Sequence, residues 1–254
     1  MPAYDADVFE ERRGALCLGI PVINEGERIR RQLDRMRTAG IDIDIAVADG
    51  GSTDGSVDPD FLRSVGVRAL LIKRGPGKLS AQMRMYFDWA LDQGYDGLLL
   101  MDGNDKDGLD GLINVRRAIE DGYDFVQGSR YVPGGRHANT PLDRELGVRL
   151  VHAPVLSLAA RHRYTDTTNG LRGYSRRFLL DPRVDPFRDV FETYNLHYYL
   201  SVRAPRLGYR VQEVPAERNY PDEGPVPSKI GGLRSRLHIL RLLAEAATGR
   251  YDPS

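Results

Sequence analysis

The chain has 254 residues, enough for one large domain or two small ones. It carries 36 basic and 36 acidic side chains, so no net charge draws nucleic acid to its surface, and no nucleic-acid partner is expected. No apolar run approaches the ~18 residues of a membrane span, and the acidic start "MPAYDADVFEERRG" does not resemble a signal peptide.

The first elements alternate. "ALCLGIPVI" reads as a buried strand holding the single cysteine, Cys17, which is expected as a core thiol in a reducing, cytoplasmic setting. A helix follows from about Glu25 to Thr38, then a strand "IDIAVAD" ending at Asp49 and a third strand "VRALLIK". "KLSAQMRMYFDWALDQG" predicts a helix closed by Gly94, and "YDGLLLMD" a fourth strand. Continuous apolar strands alternating with helices predict an α/β fold, with a mostly parallel central sheet and helices on both faces. Further on, "DGLINVRRAIEDG" reads as a helix and "YDFVQGSRY" as a strand with a polar end. Much of 142–162 reads as helix, and "GYRVQEVPAERNY" as a strand leaving toward the surface. The Pro- and Gly-rich "NYPDEGPVPSK" is a loop, and "IGGLRSRLHILRLLAEAA" a basic amphipathic helix.

Ligands of open parallel sheets bind beyond the carboxyl ends of the strands, and each end here is chemically loaded. The first delivers Pro21, Val22, Asn24 and Glu25; the second delivers Asp49 with Gly50, Gly51 and Ser52. The third supplies Lys73, Arg74 and Lys78 among glycines, and the fourth Asp102 and Asn104. In "LLLMDGNDKDG" the crowded Asp102, Asp105 and Asp107 repel one another and call for a positive partner, such as a divalent cation. No G-x-G-x-x-G follows the first strand, and "GPGKLS" lacks the P-loop spacing. An EF-hand is excluded because Lys106 and Asp107 stand where an oxygen ligand and a glycine are required.

In this order, "PVINEGE", "VADGGSTDGS", "MDGN", "GSRY", "DTTNGLRGYSRRFL" and "GYRVQEVPAER…SK" are similar to motifs of the family 2 glycosyltransferases with a GT-A fold, especially the dolichol- and polyprenol-phosphate sugar transferases. The similarity covers roughly residues 15 to 230. It implies a GT-A catalytic domain over 1–229, with a nucleotide-binding half about 15–105 and an acceptor half about 106–229; residues 230–254 form a basic helix and tail. It also implies a nucleoside-diphosphate sugar donor, a polyprenyl-phosphate acceptor, and Mg²⁺ or Mn²⁺ as cofactor. Pro21, Val22, Glu25 and Asp49 are implied to hold base and ribose. Asp102, Gly103 and Asn104 match the D-x-D motif, with Asp102 and Asn104 as metal ligands. Arg130, Arg218 and Lys229 match cations that contact the diphosphate or the acceptor phosphate, and Lys78 is expected beside the donor. Since Lys229 follows the Pro- and Gly-rich loop, the resemblance implies a flap over the donor.

The chain departs from the family pattern at Asn104, which replaces the second Asp of the motif, and at Lys106, where the lipid-phosphate branch often has a metal-binding Gln. Asp105 or Asp107 could then serve as substitute ligands. Breaking a sugar–phosphate bond leaves a diphosphate with growing negative charge, which a divalent ion and basic side chains stabilise most in the transition state; Asp102 and Arg130 are the expected catalytic groups there. An ionised phosphate acceptor needs no general base, whereas a hydroxyl does. Glu192, backed by Asp189, is the candidate base, and in-line attack would invert the anomeric centre.

Structural readings compete with these roles. Asp49 and Asp102 could cap helices, Glu25 could be a first-turn acid, and Arg130 could be an ordinary paired arginine. Arg172 could pair with Asp166. The last helix carries Leu233, Leu237, Leu240 and Leu243 among Arg234, Arg236 and Arg241. That pattern suits packing on the body or in a homo-oligomer, or peripheral contact with an anionic membrane. The functional rivals are a soluble glycosyltransferase acting on a hydroxyl of a small molecule or glycan, a sugar-phosphate nucleotidyltransferase, and an inactive nucleotide-sugar-binding domain.

Overall fold

Seven successive apolar or small residues leave no polar face, so a strand made of them must be covered on both sides. That strand, β2 (Leu16–Val22), is buried from Cys17 onward. The computed structural model of the chain describes residues 1–220 and 232–253; Lys229 and most of the Pro- and Gly-rich loop lie outside them. On one side β2 pairs in parallel with β3 (Asp44–Asp49), which pairs with β4 (Ala69–Lys73). On the other side it pairs in parallel with β5 (Gly97–Leu100).

Three strands complete the α/β sheet beyond β5: β8 (Arg172–Ser175) lies antiparallel between β5 and β6 (Phe125–Ser129), and β9 (Val211–Pro215) runs parallel to β6. An antiparallel strand, β1 (Tyr4–Val8), covers the β4 edge. Four of the seven strand pairs are parallel, so the mostly parallel sheet is found with antiparallel strands at one edge and in its second half. A small parallel sheet joins β7 (Arg136–Ala138) to β10 (Glu217–Asn219).

Alternate residues of the strands feed two cores. Leu18, Val47 and Leu99 face α1 (Glu27–Thr38), α2 (Pro59–Ser64) and α4 (Leu109–Glu120). Cys17, Ala46 and Leu98 face α3 (Leu79–Asp92), α6 (Ala153–Ala160), α8 (Asn195–Arg206) and α9 (Gly232–Ala247). A short α7 (Arg176–Leu179) is capped by Ser175, whose hydroxyl accepts from the Phe178 N–H. Cys17 is a core thiol, pushed up to about 12 by burial.

The helix expected over 142–162 is present as α5 (Leu142–Gly147), a π turn (Val148–His152) and α6. Pro154 explains the wider turn, because its ring crowds the preceding carbonyls and it supplies no N–H. Six elements were not anticipated from sequence: β1, α2, β7, β8, α7 and α8. The pairing expected between Arg172 and Asp166 is not found. Arg172 is buried and donates to the carbonyls of Thr167 and His197 and to Ser201 Oγ, at 2.8, 2.9 and 3.1 Å. Asp166 is taken by Arg130 instead.

The close fit of α3 on β2 rests on a glycine. A Cβ at Gly19 would collide with the Tyr86 ring, whose hydroxyl donates to the Cys17 carbonyl at 2.7 Å. Gly19→Ala is expected to cost about 1–3 kcal/mol of stability in a urea titration; a variant as stable as the parent would show that helix and strand can separate freely.

Candidate active site

The carboxyl ends of β2, β3, β4 and β5 open onto a cavity of about 870 Å³. Pro21, Val22 and Glu25 form one wall, with Gly50, Lys78 and Gln82 beside them. Asp102, Gly103 and Asn104 form the floor, flanked by Lys106, Arg130 and Arg218.

Two glycines shape that floor. A Cβ at Gly103 would stand 3.0 Å from Val22 Cγ2 and 3.1 Å from the Pro21 carbonyl, so the middle of the D-x-D motif must be small for β2 to lie against it. A Cβ at Gly170 would collide with the Asp102 carboxylate. The Gln82 amide donates to the carbonyls of Val22 and Ala48, at 2.8 Å each, and so staples the ends of β2 and β3 together.

The crowded acids find positive partners, and for all three of them the partners are arginines. Buried Arg218 donates through Nη1 to both Asp107 oxygens at 2.8 and 2.7 Å, and through Nη2 to Asp102 at 2.9 Å. Burial opposes the charge of Arg218, but Asp107 and Asp102 outweigh it and hold the guanidinium protonated. Asp105 takes the left-handed conformation at φ 57°, and its carboxylate accepts from Arg35 at 2.9 Å and Arg31 at 3.4 Å. Neither Asp105 nor Asp107 is therefore placed as a substitute metal ligand. All three acids face arginines, so the expected divalent cation is not needed by the cluster as a whole.

Asp102 and Asn104 remain as oxygen donors on the cavity floor. Asn104 Oδ1 is buried and has no hydrogen-bond partner, an arrangement that costs about 1–3 kcal/mol unless something binds it. A hard divalent ion fits this pair, since it accepts carboxylate and amide oxygens and takes its other ligands from diphosphate and water. Among the described residues no group of three or more His, Cys, Asp or Glu could hold a metal ion. A site formed by Asp102 and Asn104 would need the diphosphate to complete it.

Lys106, buried with its Nζ 4.8 Å from the centre of the Tyr220 ring, is held below the usual lysine range by burial and by repulsion from Arg218. Arg130 donates to Asp166 at 2.6 and 3.0 Å and to Thr168 Oγ1 at 2.9 Å. Burial raises the Asp166 carboxyl, but the charge and hydrogen bonds of Arg130 override this and hold it below the ordinary range.

Other expected residues sit less directly. Glu25 lines the cavity beside Arg28, at 2.8 Å. Asp49 stands behind the wall, its carboxylate accepting from the Gly51 and Ser52 N–H groups at 3.0 Å, so it shapes the turn that presents Gly50. Lys78 is exposed at the rim, and its backbone N–H donates to the Glu192 carbonyl at 2.7 Å. The Glu192 side chain is exposed and does not line the cavity. Asp189 is on the surface, paired with Arg84 at 2.6 Å and the N-terminus at 3.1 Å.

The sequence reading passed over the inner end of the cavity, where Thr167, His152, His197, Tyr194 and Tyr198 converge. Burial depresses both histidines, and the charge of Arg172 adds to this at His197, so both imidazoles are neutral at pH 7. Thr167 Oγ1 and the Nδ1 atoms of His152 and His197 have no hydrogen-bond partner. Three of these five residues come from α8 or its N-cap, an element not anticipated from sequence, which is why they were missed.

The Asp166 shift sets an acid limit. Its folded-state value lies below the ~3.9 of a free aspartate, so its stabilisation is complete above about pH 4 and is lost as the pH falls through the depressed value. Asp166→Asn, which leaves Arg130 buried without its counter-charge, is expected to lower stability at pH 7 by about 3–5 kcal/mol. It should also flatten the loss of stability below about pH 4, read from denaturant midpoints across that range. An unchanged acid limb would place the source elsewhere.

No family model matches the chain. It is 30% identical over 246 residues to the polyprenol monophosphomannose synthase of Mycolicibacterium smegmatis, covering 92% of this chain and 87% of that one. It is 32% identical over 207 residues to an undecaprenyl-phosphate mannosyltransferase of Micrococcus luteus, covering 77% of this chain and 80% of that one. Among solved structures it resembles glucosyl-3-phosphoglycerate synthase of Mycobacterium tuberculosis in complex with Mn²⁺, UDP and glucosyl-3-phosphoglycerate, with a TM-score of 0.63 at 16% identity over 94% of this chain and 81% of that one. The same enzyme in complex with Mg²⁺ and UDP gives 0.64. At such low identity these structures speak for the fold alone. With the ordered motifs, the sheet topology and the two sequence relatives in agreement, the chain belongs to the family 2 glycosyltransferases of GT-A fold.

Proposed function

We propose that the protein transfers a sugar from a nucleoside diphosphate to a polyprenyl phosphate, and that the sugar is mannose. The names of the two sequence relatives support the sugar and the lipid class. The observation that carries the acceptor is the pairing of the acids. The cavity wall has three carboxylates among the described residues, Glu25, Asp102 and Asp143. Each faces an arginine: Arg28 at 2.8 Å, Arg218 at 2.9 Å and Arg236 at 2.6 Å. A carboxylate oxygen engaged by a guanidinium in this way is already occupied by a donor and is not open to an incoming hydroxyl. A hydroxyl acceptor needs such a base, whereas a phosphate monoester is already ionised at neutral pH.

In this reading Pro21, Val22 and Glu25 flank the base and ribose, and Asp49 acts through the turn it holds. Lys78, Lys106 and Arg218 face the diphosphate, with Lys229 as a further cation. Asp102 and Asn104 would hold Mg²⁺ or Mn²⁺, which when bound neutralises the growing charge on the leaving diphosphate. Arg130, fixed by Asp166, faces the acceptor phosphate. The neutral His152 and His197 and the hydroxyl of Thr167 offer hydrogen bonds to sugar hydroxyls without competing for the diphosphate. An acceptor phosphate oxygen bonds to the anomeric carbon as the bond from that carbon to the diphosphate breaks. The electron pair leaves on the nucleoside diphosphate, no proton moves, and the configuration inverts. Glu192 has no part in this step.

The test is transfer from a panel of nucleoside-diphosphate mannoses, with Mg²⁺ or Mn²⁺, to a polyprenyl phosphate and to the matching polyprenol. Transfer to the phosphate only is expected; transfer to the alcohol only would sink the reading. Asp102→Ala is expected to lower kcat by about 10²-fold or more while leaving the melting temperature near that of the parent. Thermal stabilisation by the correct diphosphate should depend on the divalent ion in the parent and be lost in this variant.

A further inference from the structure

Twelve large apolar side chains are exposed among the described residues, and seven of them lie within 142–158 or 237–240. Leu142, Leu146 and Leu150, exposed by 76%, 56% and 69%, recur every four residues along α5 and the π turn. Leu158 follows on α6 at 83%, and Leu237 stands on α9 at 57%. The two pieces form one surface. Arg236 of α9 pairs with Asp143 of α5 at 2.6 Å, and the inner side of α9, with Ile239, Leu242 and Leu243, packs into the same core as Leu156 and Ala160 of α6. Leucines exposed in such number on one surface mark a binding face.

We infer that this face docks on an anionic lipid bilayer and feeds the acceptor lipid into the cavity from the membrane side. The inference rests on the polyprenyl-phosphate reading above. Charge identifies the occupant. Residues 142–163 carry four arginines against two acids, and 232–247 three arginines against one, in a chain whose basic and acidic residues balance overall. Leucines fringed by arginines match acyl chains beneath acidic headgroups, to which basic residues near the surface are attracted. Position agrees with charge. Val151 and His152 from the π turn and Arg236 and Leu240 from α9 also line the cavity, so the apolar face runs to its mouth. A lipid could place its phosphate among the cavity arginines while its chain stays in the bilayer. No helix among the described residues is long and apolar enough to cross a membrane, so this surface would supply the attachment.

The test uses the full chain, vesicles of phosphatidylcholine with or without phosphatidylglycerol, and one combined variant, Leu142→Gln, Leu146→Gln, Leu150→Gln and Leu158→Gln. None of the four lines the cavity, and Gln keeps helix propensity. The parent is expected to sediment with the anionic vesicles and much less with the neutral ones. The variant should bind at least about tenfold more weakly, with an unchanged melting temperature and an unchanged rate on a short, water-soluble isoprenyl phosphate. Its rate on long-chain polyprenyl phosphate in vesicles should fall about as far as its binding. The inference is overturned if the parent ignores anionic vesicles, if the variant binds as the parent does, or if the parent is a dimer that the variant dissociates, since a second copy would then cover the face. Vesicle binding without transfer to either phosphate would instead remove the polyprenyl-phosphate reading, so the two failures are separable.

Discussion

The floor of the cavity around the D-x-D motif depends on one guanidinium. Arg218 bridges Asp107, which is buried, and Asp102, which faces the ligand space. Without it two like charges would stand together at low dielectric, and stripping the partner from a buried pair costs about 3–5 kcal/mol. The backbone strengthens the bridge. The Gly108 N–H donates to the Glu217 carbonyl and the Asn219 N–H to the Lys106 carbonyl, so β10 is sewn to the loop that follows β5. The same strand that delivers the arginine thus fixes the position of the acids it neutralises.

A second buried pair, Arg130 with Asp166, does the same elsewhere along the cavity wall. Glu213 of β9 extends it by accepting from the N–H groups of Thr165 and Asp166, at 2.8 to 2.9 Å. Charge, turn and strand are therefore locked together at both ends of the cavity. Rigid placement of this kind lets a cation meet developing charge without reorganising during the reaction. The antiparallel β8 makes the arrangement continuous, because it carries the "DTTNGLR" turn into the middle of the sheet next to Asp102.

Much of the fold was legible because four strands are apolar throughout and the helices between them are amphipathic or wholly buried. Asp102 and Asn104 were legible as a motif. What stayed hidden depends on partners distant in sequence. Arg130 finds Asp166 36 residues away, and Arg218 finds Asp107 111 residues away, with no local signal for either. β8, "RGYS", reads as a polar turn, because its arginine is buried only by virtue of the carbonyls that surround it. α8 lacks the polar stripe that marks a surface helix and contains Pro205, so its periodicity is blurred. Gln82 is unremarkable within a buried helix until the two strand ends it joins are seen.

The arginine-paired acids have a consequence for how the enzyme reads its surroundings. Both inner histidines are neutral at pH 7, and each carboxylate of the described cavity wall is paired. With a phosphate as the acceptor, the ionisation that governs the rate near pH 6 is the second ionisation of that phosphate. A sensitivity to acidity then resides in the lipid itself, which meets a frame of paired charge.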